Sequence, residues 1–113
     1  MSKREAPNYA NINVDELASK IGLKVKHMPI LIGSFTEESA DILLALKTAI
    51  DNSNYEEIQH HTHSIKGSAG NLKFDEIYEM AKEMELASKD EKSDFDYADV
   101  YDAIEKGVNS ISF

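Results

Sequence analysis

The sequence predicts an all-α fold: an antiparallel, up-down-up-down four-helix bundle with a short N-terminal helix capping one end. Three observations predict it. Apolar residues recur at helical spacing in four long segments. Sustained apolar–polar alternation and β-hairpin turn signals are missing. The connections between the periodic segments are short, which makes successive helices antiparallel neighbours.

The elements follow in chain order. Residues 1–10 are polar, contain Pro7 and read as a flexible arm; residues 11–113 read as a single domain. Asn13 is placed to cap a short helix beginning at Val14, with Glu16 three residues on as in a capping box, and Gly22 ends it. A long helix follows, with Pro29 in its first turn and Val25, Met28, Ile32, Phe35, Ile42, Leu46 and Ala49 as its inward stripe. The polar run Thr36-Glu37-Glu38-Ser39 is a candidate kink, but a continuous helix ending near Asn52 is favoured. Asp51-Asn52-Ser53-Asn54 is a turn cluster. A third helix runs from about Tyr55 to between Ala69 and Asn71. A fourth carries Phe74, Ile77, Ala81 and Met84 on one face, and Ser88 to Asp94 reads as a charged loop. The last helix repeats Tyr97, Val100, Tyr101, Ile104, Val108 and Ile111, slightly weakened by Gly107. The aromatic and methionine stripes are read as core packing, the ordinary fate of such residues, and not as a cofactor box.

Composition narrows the function. At 113 residues and 42% hydrophobic, the chain makes one domain large enough for a core. A net charge of −9 argues against nucleic acid or an anionic membrane as partner. No apolar run approaches a membrane span, and no apolar segment follows the basic N-terminus as a secretory signal would. There is no cysteine, so disulfides and thiol catalysis are excluded. Cytoplasmic residence is the expectation that fits. The initiator Met and the complete set of bundle helices favour a free-standing protein.

The third helix carries the chemistry. With about 100° per residue, Glu56, Gln59, His60, Lys66, Gly67 and Gly70 fall within roughly 60° of His63. Ile58, Thr62, Ile65, Ala69 and Leu72 fall opposite, so His63 faces water while the other side faces the core. Lys66 and Gly67, at i+3 and i+4, are its surface neighbours. A histidine with a cation on one side and no side chain on the other suits a nucleophile that receives a phosphoryl group. Lys66 offsets phosphate charge, and Gly67 clears room for a donor. Two exposed helical glycines cost roughly 1 kcal/mol each relative to alanine, so Gly67 and Gly70 point to a face that accepts another protein at close range. Gln59 and His60 border that docking face. His27 reads as solvated and His61 as marginal to the core.

The run His63-Ser64-Ile65-Lys66-Gly67-Ser68-Ala69-Gly70-Asn71-Leu72 resembles the signature of the histidine-containing phosphotransfer (HPt) family of two-component phosphorelays. The family pattern is His, any residue, an aliphatic, Lys, Gly, small residues, then a large apolar residue. Many members have glycine next, where this chain has Lys73. With the arrangement of the other helices, the resemblance covers roughly residues 10 to 112. It implies a phosphoryl carrier that takes the group from a receiver-domain aspartate and passes it to another through a phosphohistidine. It implies as partners the receiver domains of a hybrid sensor kinase or a response regulator, with Mg2+ on the receiver and no cofactor or metal on this chain. It also implies a ring-orienting polar residue on the following helix, for which Glu85 is the best match, with Lys82 one turn earlier. No glycine-rich nucleotide loop is present, so self-phosphorylation from ATP is not expected. The protein is expected to be a monomer.

Two rival readings remain beside it. Glu56, His60 and His63 share a face at i, i+4 and i+7, a spacing that can chelate zinc or copper. Lys66 beside them and the supply of only three ligands from one helix weigh against that. A scaffold bundle with an idle histidine leaves Lys66 and Gly67 without a purpose.

Overall fold

The structure is a computed structural model and describes residues 4–113. Among these residues all regular structure is helical: α1 (Val14–Ile21), a 3-10 turn (Val25–His27), α2 (Met28–Asp51), α3 (Tyr55–Asn71), α4 (Asp75–Lys89) and α5 (Tyr97–Asn109). Each of α2 to α5 packs on its chain neighbour, and α5 closes the ring against α2. This is the expected four-helix bundle, with α1 against the start of α2. No helix among the described residues is long and apolar enough to cross a membrane.

Local chemistry starts the helices. Asn13, Asn54 and Asp96 each accept a hydrogen bond from the backbone N–H three residues on, satisfying donors the first turn leaves free. α2 runs unbroken through Thr36 to Ser39, with Pro29 in its first turn. Its inward stripe differs from expectation at two places. Leu43 is buried in place of Ile42, and Val25, in the 3-10 turn before the helix, is 44% exposed. The tighter 3-10 winding rotates Val25 off the face that the helix continues. Ser39 joins the buried stripe as a small polar member.

The helix ends were less readable. α4 continues through Ser88 to Lys89 where a loop was expected; the Ser88 hydroxyl donates to the Glu85 carbonyl at 2.9 Å and is buried. Ile111, expected on the last helical stripe, lies beyond α5 and is half-buried. Three helices end through a left-handed residue that is not glycine: Ser53 (φ 50°), Lys73 (φ 61°) and Glu91 (φ 50°). At Lys73 the N–H donates to Gly70 O at 3.2 Å and the Phe74 N–H to Ala69 O at 2.9 Å, the paired bonds of a Schellman end. Lys73 therefore occupies the left-handed position that glycine most often fills.

Of the flexible arm expected over residues 1–10, residues 1–3 lie outside the described residues. Residues 4–10 lie along α4 and α5. Arg4 pairs with Glu83 at 2.7 Å, the Tyr9 N–H donates to Ser110 Oγ at 2.8 Å, and the Tyr9 ring packs 4.7 Å from Phe74. Pro7 fills the space over Gly107, where an added Cβ would stand 2.8 Å from its Cγ.

Candidate functional site

The site is set by how two helices are rotated. α3 buries Ile58, Thr62, Ile65 and Ala69, the stripe its periodicity predicts. Thr62 is satisfied in the core by donating to Ile58 O at 2.7 Å. That rotation leaves the His63 side chain 71% exposed near the middle of the helix. α4 buries Ile77, Ala81 and Met84, which turns Glu85 toward α3.

Glu85 joins the two key residues. His63 Nδ1 lies 2.7 Å from Glu85 Oε2, and Lys66 Nζ donates to Glu85 Oε1 at 2.6 Å. The Glu85 side chain is only 13% exposed, so water screens these contacts less than on an open surface. Burial pushes the Glu85 carboxyl up, but hydrogen bonds from Lys66 and then His63 outweigh it, leaving Glu85 below its ordinary range. Lys66 is lifted above its ordinary value, chiefly by the hydrogen bond to Glu85. An ionised carboxylate only accepts hydrogen bonds, so the ring nitrogen facing it must donate. Nδ1 therefore carries the proton. In a neutral ring that proton on Nδ1 leaves the lone pair on Nε2, and the ring is exposed.

The remaining expected residues divide. A Cβ added at Gly67 would meet nothing within 4 Å, so the space beside His63 is open. Gln59 and His60 border the same shallow depression as His63. Gly70 serves a different purpose from the open docking position expected: an added Cβ would stand 3.2 Å from the Tyr78 ring of α4, so this glycine lets the helices approach closely. The α3 sequence by itself does not show that Tyr78 packs over Gly70. Tyr78 also adds a smaller electrostatic contribution at Lys66. Its spacing from Lys82 and Glu85, i, i+4 and i+7 on one face of α4, is the signal that marks it. Glu56, His60 and His63 are not assembled for metal binding: no metal-holding group of His, Cys, Asp or Glu occurs among the described residues. His60 instead meets the His61 ring edge-on at 5.2 Å, while His61 pairs with Glu57 at 3.2 Å.

The model of the Hpt domain family matches residues 30–110. The chain belongs to the Hpt domain family, whose members are phosphoryl-carrier modules of two-component phosphorelays and interact with receiver domains. No curated protein and no solved structure matches the chain.

Proposed function

We propose that the chain relays a phosphoryl group between receiver-domain aspartates as a phosphohistidine on His63 Nε2. The observation that carries this reading is the exposed His63 ring, held at Nδ1 by Glu85 beside open space at Gly67. In the accepting step the Nε2 lone pair attacks the phosphorus of a receiver phospho-aspartate. The N–P bond forms, the O–P bond breaks, and its electron pair leaves on the receiver carboxylate. The return step runs the same path backwards with a second receiver aspartate. Transfer of this kind depends on positioning and charge neutralisation more than on covalent help from neighbours.

Lys66 contributes through charge. Its ammonium cancels the Glu85 carboxylate at 2.6 Å, so an incoming phosphoryl group does not meet an unbalanced anion. It also places a cation one turn from the acceptor. Gly67 gives the receiver clearance, and Gln59 and His60 flank the contact. Mg2+ acts on the receiver side, this chain has no ATP-dependent kinase activity, and it works as a cytoplasmic monomer. The test is reconstitution with two receivers from the same genome, one phosphorylated at the outset. Phosphoryl should reach the second receiver only when the chain is present, and His63→Gln should stop it. Equal transfer with the His63→Gln protein sinks the reading.

A further inference from the structure

We propose that His60 is a second residue of the transfer site: its ring donates an N–H to an oxygen of the phosphoryl group carried by His63. The proposal rests on His63 as the carrier and adds a donor to that same site. A phosphoryl group on Nε2 brings negatively charged oxygens to a depression that already holds Glu56 and Glu57. Such oxygens are best stabilised by N–H donors already in place. Lys66 is one turn away, but Glu85 holds its ammonium at 2.6 Å. His60 stands one turn to the other side, on the same face of α3 and in the same depression as His63. The Cα–Cβ bonds of a helix tilt toward its N-terminus, so the His63 side chain leans over the turn that carries His60.

The His60 ring is held in place while its nitrogens stay unengaged. It meets the His61 ring edge-on at 5.2 Å. The half-buried His61 is in turn fixed by Glu57, whose Oε2 lies 3.2 Å from Nε2. Glu57, His61 and His60 thus form a brace along the first half of α3, and its open end is an exposed imidazole. Among the described residues, no hydrogen bond or ion pair engages the His60 ring nitrogens. A neutral imidazole always carries one N–H, so the ring has a donor in either tautomer. His60 makes and breaks no covalent bond and gives up no proton. It stabilises the phosphoryl oxygens while the N–P bond forms at His63 and while the group is stored there.

The experiment follows phosphorylation of His63 by phosphoramidate, mapped by mass spectrometry, in parent, His60→Phe and His60→Gln proteins. Phenylalanine keeps a ring against His61 and removes the N–H, whereas glutamine restores an N–H without the ring. Loss of one hydrogen bond to a charged group should slow phosphorylation of His63 about tenfold in His60→Phe. The phosphorus NMR resonance of the loaded protein should also move. His60→Gln should stay within about threefold of parent, because the donor is kept. Equal rates in parent and His60→Phe overturn the proposal, as does a His60→Gln protein as slow as His60→Phe. A loss seen only with a phosphorylated receiver overturns it too, because His60 would then be a docking contact. If a phosphorylated receiver labels parent and His63→Gln proteins alike, the carrier reading itself has failed. That outcome is distinct from a parent phosphorylated on His63 at the same rate with and without the His60 N–H.

Discussion

Alanine placed at four helical glycines should separate the open positions of this bundle from the filled ones. Each replacement brings up to about 1 kcal/mol of helix propensity. What differs is the space that the new Cβ enters. At Gly33 and Gly67 it meets nothing within 4 Å, so both variants should gain about 1 kcal/mol, or roughly 4 °C in Tm for a domain of this size. At Gly70 it would stand 3.2 Å from Cδ2 and 3.4 Å from Cε2 of Tyr78, so the ring must give by a few tenths of an ångström and most of the gain is lost. At Gly107 it would stand 2.8 Å from Pro7 Cγ and 3.3 Å from Cδ, so residues 4–10 must shift. Overpacking of this kind costs about 1–3 kcal/mol, so Gly107→Ala should be neutral to destabilised by about 2 kcal/mol. Urea unfolding followed by far-UV circular dichroism reads all four on one scale, with Gly33→Ala as the calibrator of propensity. If Gly107→Ala gains as much as Gly33→Ala, the arm does not occupy that space in solution. If Gly67→Ala loses stability, the face beside His63 is not open.

Four further outcomes follow from the same structure. Gly67→Gln should fold normally yet accept phosphoryl poorly from a receiver and less poorly from phosphoramidate, which needs less clearance; undiminished receiver transfer would show that Gly67 is not a clearance device. Lys73→Gly should stabilise the fold by about 0.5–1 kcal/mol, because a left-handed side-chain residue costs about 1–2 kcal/mol and glycine's greater unfolded freedom returns part of it; a lower urea midpoint would contradict the strained helix end. Asn54→Ala should cost about 1 kcal/mol by removing the α3 cap, and an unchanged midpoint would deny that the cap operates. Because Glu85 lies below its ordinary value of 4.5 when folded, its stabilising contribution is present above that value and lost as pH falls through the lower folded one. The stability gap between parent and Glu85→Gln should therefore shrink on going from neutral to strongly acid pH, and a gap independent of pH would refute the ion-paired state of Glu85.

The extent of legibility tracks what the physics leaves in the sequence. Core stripes repeat with the helical period, so Ile58, Ile65, Ile77, Met84 and Ile104 are recognisable by spacing and are buried. Asparagine before a helix announces its start: Asn13, expected as a cap, does cap, while Asn54, read from sequence only as part of a turn cluster, caps as well. Helix ends are harder, because a left-handed residue is announced only when it is glycine. Gly22 is visible in this way, whereas Ser53, Lys73 and Glu91 carry no mark. The packing of residues 4–10 was illegible for a related reason: the hydrogen bonds of Tyr9 and Ile12 with Ser110 and Ser112 join opposite ends of the chain, which no local pattern encodes.

The site divides along the same line. His63, Lys66 and Gly67 share one helix, so a wheel places them together. The carboxylate of Glu85 comes from another helix, and family resemblance rather than periodicity pointed to it; the contacts at 2.7 Å and 2.6 Å emerge only when α3 and α4 pack. Gly70 shows the limit of the wheel. It lies on the His63 side, yet the antiparallel neighbour supplies Tyr78 to fill the space above it.

The most direct measurement is to locate the phosphoryl group itself. The protein is incubated with a phosphorylated receiver, recovered at alkaline pH, and mapped by mass spectrometry. One phosphoryl group should be found on His63, stable in base, lost in acid, and absent from the His63→Gln protein. Phosphoryl on another residue, or unchanged labelling when His63 is replaced, would contradict a phosphohistidine relay at this site.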